Sequence, residues 1–515
     1  MAEAALADGL EHPLLLNVAA LHLELQDRLA DAERLLRRAV VMAPADLGSR
    51  NALGLCLLRL QRPGEALAQF DAILKSDSAL PFAHTSRGNS LFALGAINDA
   101  EASYRRALEL DANQGVALAG LARIAVSRGA HREARERAEK ALAALPGFPD
   151  AVMSLAAAEL GERQVNRAEV RLRALLTDSR LAPVERAYAT GLLGDVLDAK
   201  SLVEDAFAAY TSCNEQLQRV YAERFSAGPS ALEYARALTH YFERVPPRSG
   251  GAAEALATGA SQPVNHVFLL GFPRSGTTLL EVVLEGHPEV VSLEENELLI
   301  DAVREFMRGP ADLDRLMLAP AACLQPLRAA YWQNVAAAGA DVAGKVFVDK
   351  HPLNALKLPL IARLFPHARI LFACRDPRDV VLSCFRHRFQ MSAPIYELLS
   401  LEGAARYYDA VMALAVRLTT ALQLNMCLVR HEDVVTEFTR EMKRVCAYLN
   451  LEWVPAMGDF ALRTKSRPVL TPSTAQLVRG LNTEGLGQWR RYQTELLPVQ
   501  PILAPWVKRF YYDSR

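Results

Sequence analysis

Very little in this 515-residue chain points outside the ordinary globular proteins. Its seven cysteines (Cys56, Cys213, Cys323, Cys374, Cys384, Cys427 and Cys446) form no CxxC and no tight cluster. That pattern suits free thiols in a reducing compartment better than disulfides or a zinc site. The eleven histidines include no HExxH, so no catalytic metal is expected. Formal net charge is only −1 and the pI is about 6.9, which leaves no global field to draw the protein to nucleic acid or to an anionic membrane. Neither partner is expected. No apolar run approaches the ~18 residues of a membrane span, and no charged-then-apolar leader follows Met1. The expected location is therefore cytoplasmic, with no membrane span. Hydrophobic content of 51% and charged content of 23% are typical of folded domains, and the length implies two or three of them.

The most informative stretch that is present runs from His266 to Asn296. Val267–Leu270 is a short apolar run, as in a buried parallel strand, and Leu279, Leu280, Val283 and Leu284 begin a helical pattern. Between them lies Gly271-Phe272-Pro273-Arg274-Ser275-Gly276-Thr277-Thr278. A glycine-bearing turn from strand into helix offers unpaired N–H groups and the positive end of a helix dipole, which together attract anions. The turn is close to the GxxxxGK[ST] loop that holds nucleotide phosphates, but Thr277 stands in place of the lysine. Arg274 is the one strong cation in the loop, and its planar fork suits phosphate or sulfate oxygens. A nucleotide held this way need not be a triphosphate and need not bring a metal.

The first half has a period. Ala32, Ala66, Ala100, Ala134 and Ala168 are each 34 residues apart and open similar segments. Twelve residues before three of them stand Gly54, Gly88 and Ala122, and Gly194 with Ala206 keeps that spacing in a sixth unit after a four-residue insert. The period and its small residues resemble the tetratricopeptide repeat, two antiparallel helices per unit whose apolar faces are buried only by stacking. Residues Glu215–Arg244 read as further helix, and a Pro/Gly/Ser/Ala mixture follows. The expected division is a helical array over 1–245, a linker over 246–264 and a second domain over 265–515.

In that second domain strand and helix patterns alternate. Strands are expected at Lys345–Val348, Arg369–Cys374 and Met426–Val429, with polar clusters following at Asp349-Lys350-His351, Arg375-Asp376-Pro377-Arg378-Asp379 and Arg430-His431-Glu432-Asp433. The alternation predicts a doubly wound parallel sheet with its ligand at the carboxyl ends of the strands.

Here PRSGTTLLE, GHPEVVSLEEN, DKHPLN, RDPRDVVLSCF and LNTEGLGQWRRY together resemble the sulfotransferases that use 3′-phosphoadenosine-5′-phosphosulfate (PAPS). Within that family the likeness is to tyrosylprotein sulfotransferases and to bacterial enzymes carrying N-terminal tetratricopeptide repeats. The expected fold is thus an α solenoid followed by an α/β P-loop-like sulfotransferase domain with a parallel sheet. The resemblance implies that Arg274, Ser275, Gly276, Thr277 and Thr278 cradle the 5′-phosphosulfate, while Arg375 and Ser383 hold the 3′-phosphate. It makes Glu295 the base that takes the acceptor hydroxyl proton, with Glu294 beside it. Arg274, Lys350 and Ser473 would stabilise charge at the transferred group, and Arg479, Asn482 and Arg490 fall in or beside a late cofactor-binding loop.

The chain departs from the tyrosylprotein pattern at several positions. His387 replaces an arginine but is flanked by Arg386 and Arg388, His431 replaces a tyrosine, Gln488 replaces a lysine, and Ser292 replaces a paired cysteine. The expected activity is sulfuryl transfer from PAPS to a hydroxyl of a protein tyrosine, a glycan or a small molecule, with no metal. A protein partner or self-association through the repeats is expected as well. The alternatives are an interaction scaffold whose nucleotide domain no longer turns over, and a metal-dependent P-loop kinase, which Thr277 disfavours.

Overall fold

The computed structural model describes residues 9–26, 28–226, 228–244, 263–309, 311–466, 477–478 and 480–513. Two compact units emerge, Met1–Glu185 and Arg186–Arg515.

The first unit is built of helix pairs: Pro13–Leu25 with Leu29–Met42, Leu47–Arg59 with Pro63–Ser76, Pro81–Ala93 with Ile97–Leu110, Gly115–Ser127 with His131–Ala144, and Pro149–Gly161 with Val165–Leu176. Prolines open four of these helices, where a missing N–H costs nothing, and the Asp46 carboxylate caps another by accepting from the N–H groups of Gly48 and Ser49. The five periodic alanines are all fully buried. The glycines face rings: a Cβ on Gly54 would lie 2.6 Å from Phe70, and one on Gly88 would lie 2.6 Å from Tyr104. Where the glycine becomes Ala122 the opposing residue shrinks too, to Ala138 in the same buried cluster. The 34-residue period is therefore a packing rule in which two helices approach closely and one side chain fills the gap.

The second unit holds a five-stranded sheet: β1 (Asn265–Gly271), β2 (Val290–Glu294), β3 (Val346–Lys350), β4 (Arg369–Cys374) and β5 (Met426–Arg430). All neighbours pair in parallel, in the order β2-β3-β1-β4-β5. β2 was not anticipated from the sequence. As an edge strand it is paired on one side only, so Val290–Glu294 lacks the continuous apolar run that marked the central strands. Alternate residues divide the core. Phe268, Leu270, Phe347, Ile370 and Phe372 face one layer, and Val267, Leu269, Val348, Leu371 and Ala373 face the other.

Three helices that continue the repeat pattern belong to this unit: most of Pro183–Ala199, then Val203–Phe225 and Ala231–Arg244. Ala235, Leu238 and Phe242 of the last sit in the same core as the strands. The linker expected over 246–264 falls almost wholly outside the described residues, and by compactness residues 186–244 lie with the second unit.

Candidate functional site

Because the strands are parallel, the polar residue that ends or follows each one reaches the same edge of the sheet. β1 delivers the loop 272–276, β2 delivers Glu294 and Glu295, β3 ends on Lys350, and β4 and β5 are followed by Arg375 and His431. The crossover rule thus turns five distant stretches of sequence into one site.

On one side stands the glycine loop. Arg274 and Gly276 both take left-handed backbone conformations, with φ of 70° and 94°. A Cβ on Gly276 would collide with the ring of His431, so this position requires glycine twice over. The Ser275, Thr277 and Thr278 side chains are buried at the start of the helix Thr277–Leu284. The Arg274 Nε donates to Ser383 Oγ at 3.1 Å, and Arg375 Nη1 donates to the Arg274 carbonyl at 3.3 Å. Burial, with Arg375 alongside, pushes the Arg274 guanidinium down to about 10. The loop, Ser383 and Arg375 are therefore brought together as expected.

Arg375 also donates to the Gly485 carbonyl and lies 3.7 Å from Asp379, whose carboxylate accepts from the N–H groups of Gly487 and Trp489 at 2.7 and 2.8 Å. Among the described residues its buried Nε has no hydrogen-bond partner. The late loop thus meets Arg375 through backbone. Asn482 forms a local turn with Gly480 and Glu484, and the Arg490 guanidinium lies 5.1 Å from the centre of the Trp489 ring. Ser473 and Arg479 lie outside the described residues.

On the other side stands Lys350, fully buried, with its Nζ 2.8 Å from Glu295, 3.3 Å from Glu281 and 3.5 Å from Glu294. Glu295 has a left-handed φ of 48°, and its N–H donates to the Lys350 carbonyl at 2.7 Å. That conformation excludes a helix start at the acidic pair. Burial raises the Glu295 carboxyl, but Lys350, His351 and Arg274 outweigh it and hold the group below its ordinary range. The Glu295 side chain is still 46% exposed, so its outer edge remains open.

The departures from the tyrosylprotein pattern have physical roles. Arg386 pairs with Asp198 at 2.6 Å and Arg388 with Asp195, so both are held by the helix Pro183–Ala199. His387 is half-buried and held neutral, its pKa lowered by burial and then by Arg274 and Arg388. Burial pushes His431 down to about 3, aided by Arg375 and Arg274, so it meets the loop as a neutral ring. Gln488 donates to the carbonyl of Glu484.

Sequence reasoning missed Glu281. Glu281 had a signal: it is the one ionisable residue in an eight-residue helix that is otherwise apolar apart from its first turn. Such an acid is buried with a partner or neutralised. Among the described residues no cluster of three or more His, Cys, Asp or Glu is arranged to hold a metal ion, and no helix is long and apolar enough to cross a membrane.

A parallel sheet carrying a lysine-free anion loop at its carboxyl edge, in a chain that opens with a helical solenoid, defines a P-loop-like α/β domain joined to tetratricopeptide repeats. Residues 266–455 match the sulfotransferase family, and residues 19–84 and 51–117 match the tetratricopeptide repeat. The chain joins tetratricopeptide repeats to a sulfotransferase-family domain. Protein-tyrosine sulfotransferase 1 of Danio rerio is 25% identical over 266 residues, covering 48% of this chain and 72% of that protein. Protein-tyrosine sulfotransferase A of Caenorhabditis elegans is 22% identical over 270 residues, 50% of this chain and 69% of that protein. An uncharacterized protein of Aquifex aeolicus is 27% identical over 254 residues, 47% of this chain and 33% of that protein. Among solved structures, the sulfotransferase domain of the Synechococcus PCC 7002 olefin synthase aligns with a TM-score of 0.36 at 22% identity, over 50% of this chain and 99% of that one. A thermophilic tetratricopeptide-repeat protein of Thermus thermophilus aligns with a TM-score of 0.32 at 16% identity, over 35% of this chain and 99% of that one. The family match and these relatives support a sulfotransferase activity.

Proposed function

We propose that the second unit transfers a sulfuryl group from PAPS to a hydroxyl, and that the acceptor is a tyrosine in a peptide or protein. The supporting observation is the convergence of Arg274, Arg375, Lys350 and Glu295 at one sheet edge. PAPS supplies a sulfuryl group activated by its bond to the 5′-phosphate and departs as adenosine 3′,5′-bisphosphate. The residues fit such a donor: among the described residues the buried Nε of Arg375 has no hydrogen-bond partner and calls for an acceptor, and Gly276, at φ 94°, opens a helix N-terminus of the kind that draws anions.

In this reading Arg274, Ser275, Gly276, Thr277 and Thr278 hold the 5′ side. Arg375 and Ser383 hold the 3′-phosphate, and Arg479, Asn482 and Arg490 close the late loop. Glu295 takes the acceptor's proton as the acceptor oxygen bonds to sulfur and the sulfur–oxygen bond to the 5′-phosphate breaks. Arg274 and Lys350, with Ser473, balance the negative charge on the transferred group and the leaving phosphate. Glu295 acts as a base only once Lys350 loosens its hold, and Glu281 and Glu294 give Lys350 somewhere to turn.

The tyrosine acceptor rests on the relatives' names. The repeats are assigned the docking of that macromolecular acceptor or the pairing of two copies, the usual work of a solenoid face. Seven free thiols, six of them buried, suit a reducing cytoplasm.

Calorimetry with adenosine 3′,5′-bisphosphate in EDTA tests the donor site. Binding is expected, and Arg375→Ala is expected to weaken it by about 2–4 kcal/mol, as when one member of a desolvated charge pair is removed. Loss of binding in EDTA, or an unaffected Arg375→Ala, refutes the phosphate assignment. Transfer from PAPS to tyrosine peptides but not to glycans supports the acceptor, and the reverse preference overturns it.

A further inference from the structure

The group around Lys350 is out of balance. Glu281, on the helix Thr277–Leu284, is 3% exposed, and its Oε2 lies 3.3 Å from the Lys350 ammonium. Its Oε1 accepts from Ser292 Oγ at 3.0 Å, and the same hydroxyl lies 2.8 Å from Glu285 Oε1. Across from this helix, β2 contributes Glu294 and Glu295, β3 contributes Lys350 and then His351, and the glycine loop contributes Arg274. Arg463 lies behind Glu285. One buried ammonium thus faces three carboxylates, and whichever it favours leaves the others less compensated.

We propose that Glu281 is a positioning residue that competes with Glu295 for Lys350, and thereby sets how free Glu295 is to take a proton. The inference rests on the reading of Glu295 as the base. When Glu281 is protonated, the charge of Lys350 falls chiefly on Glu295 and weakens it as a base. When Glu281 ionises, Lys350 is shared and Glu295 is released. Burial raises the Glu281 carboxyl well above the ordinary range, with Glu294 and Glu285 adding to the rise and Lys350 opposing it. The sign follows: the benefit of Glu281 is absent at low pH and grows as pH rises.

Glu281→Gln keeps the shape and the partner for Ser292 but cannot ionise. In the full chain, the ratio of wild-type to Glu281→Gln kcat is expected to lie near one at about pH 6 and to climb roughly tenfold by about pH 9. A ratio that stays constant across that range, whatever its size, overturns the proposal, because a purely structural role is blind to pH. A second measurement needs no turnover. The 13C shift of the Glu295 carboxyl, assigned by its loss in Glu295→Gln, is expected to show a second inflection from Glu281 that vanishes in Glu281→Gln. If PAPS transfer fails yet that inflection appears, the donor reading falls and the coupling stands. If transfer proceeds and the Glu295 signal ignores Glu281, the coupling falls and the donor reading stands.

Discussion

The two units treat charge in opposite ways. In residues 1–185 the ion pairs lie mainly along helix surfaces, as with Arg132 and Glu136 at 85% and 55% exposure, and apart from the buried Glu159, held by Arg171 at 2.7 Å, the interior is alanine, leucine and ring. In residues 186–515 charge goes inside: Lys350 is fully buried among acids, Asp379 is buried beside Arg375, and Arg386 and Arg388 reach the acids of one helix. Surface pairs contribute little, whereas a buried charge that loses its partner costs several kcal/mol. Glu159 and its partner Arg171 apart, the repeats should therefore be tolerant of changes in charge and intolerant of changes in volume. The second unit should be intolerant of both.

The largest expected effect comes from cutting inside the second unit. A chain beginning at Pro263 lacks Ala235, Leu238 and Phe242 from the core, the Asp195 and Asp198 partners of Arg388 and Arg386, and the Asn214 amide that donates to the Phe385 carbonyl. Uncovering the apolar core that these residues close costs about 1.5–3 kcal/mol per large side chain, which with the lost partners draws heavily on the ~5–15 kcal/mol stability of a domain. That fragment is expected to be unfolded by circular dichroism, whereas one beginning at Pro183 folds and binds adenosine 3′,5′-bisphosphate. Two equally folded fragments would show that residues 186–244 are an accessory.

Next in size is the base. Glu295→Ala is expected to keep bisphosphate affinity and to lose about 10²–10⁴ in kcat, while Glu294→Ala loses less. Because Lys350 holds the Glu295 carboxyl below its ordinary range, the base stays ionised as pH falls. In Glu281→Gln, where that neighbour cannot titrate, the acid limb of kcat/KM is therefore expected below the usual glutamate value of about 4.3. An acid limb above it in that variant, or a milder Glu295→Ala than Glu294→Ala, breaks the assignment.

The same contrast explains what was legible in the sequence. The repeat was, because Ala32 through Ala168 and Gly54 with Gly88 obey a local period that packing imposes. The central strands and the clusters after them were, because a buried strand is a continuous apolar run. Edge strand β2 was not, and neither was the placement of residues 186–244 with the second unit. The pairs Arg386–Asp198 and Arg388–Asp195 join residues almost two hundred positions apart and leave no periodic trace. For that reason Arg386 and Arg388 read in the sequence as cations standing in for the arginine that His387 replaces, while in the structure they hold a helix.

A smaller effect tests volume in both units at once. A Cβ on Gly54 would lie 2.6 Å from Phe70, and one on Gly194 would lie 2.6 Å from Tyr210. Overpacking costs about 1–3 kcal/mol, against a gain of about 1 kcal/mol in helix propensity for glycine to alanine. A net loss of about 1 kcal/mol is expected for Gly54→Ala, with bisphosphate affinity unchanged. Gly194→Ala is expected to cost as much and also to lower transfer. Tyr210 hydrogen-bonds Asp195 at 3.0 Å and lies 5.2 Å beneath Arg386, three residues from Ser383. Equal effects of both changes on activity would erase the distinction between the units.

The smallest expected effect is at the exposed pairs of the repeats. Arg132 and Glu136 meet at 3.1 Å with the arginine on the N-terminal side, the weaker orientation for an i,i+4 pair. Alanine in its place keeps or improves helix propensity, so Arg132→Ala should change stability by no more than about 0.5 kcal/mol in urea unfolding. Arg37 is the control. It follows Glu33 in the favourable order at 2.8 Å and also reaches Glu65 in the next helix pair at 2.7 Å. Arg37→Ala should therefore cost more than Arg132→Ala, and added salt should narrow the difference because both sites face solvent. A loss above about 1 kcal/mol for Arg132→Ala that persists in high salt would show that even the exposed pairs of the repeats behave as buried ones, and the contrast between the units would fail.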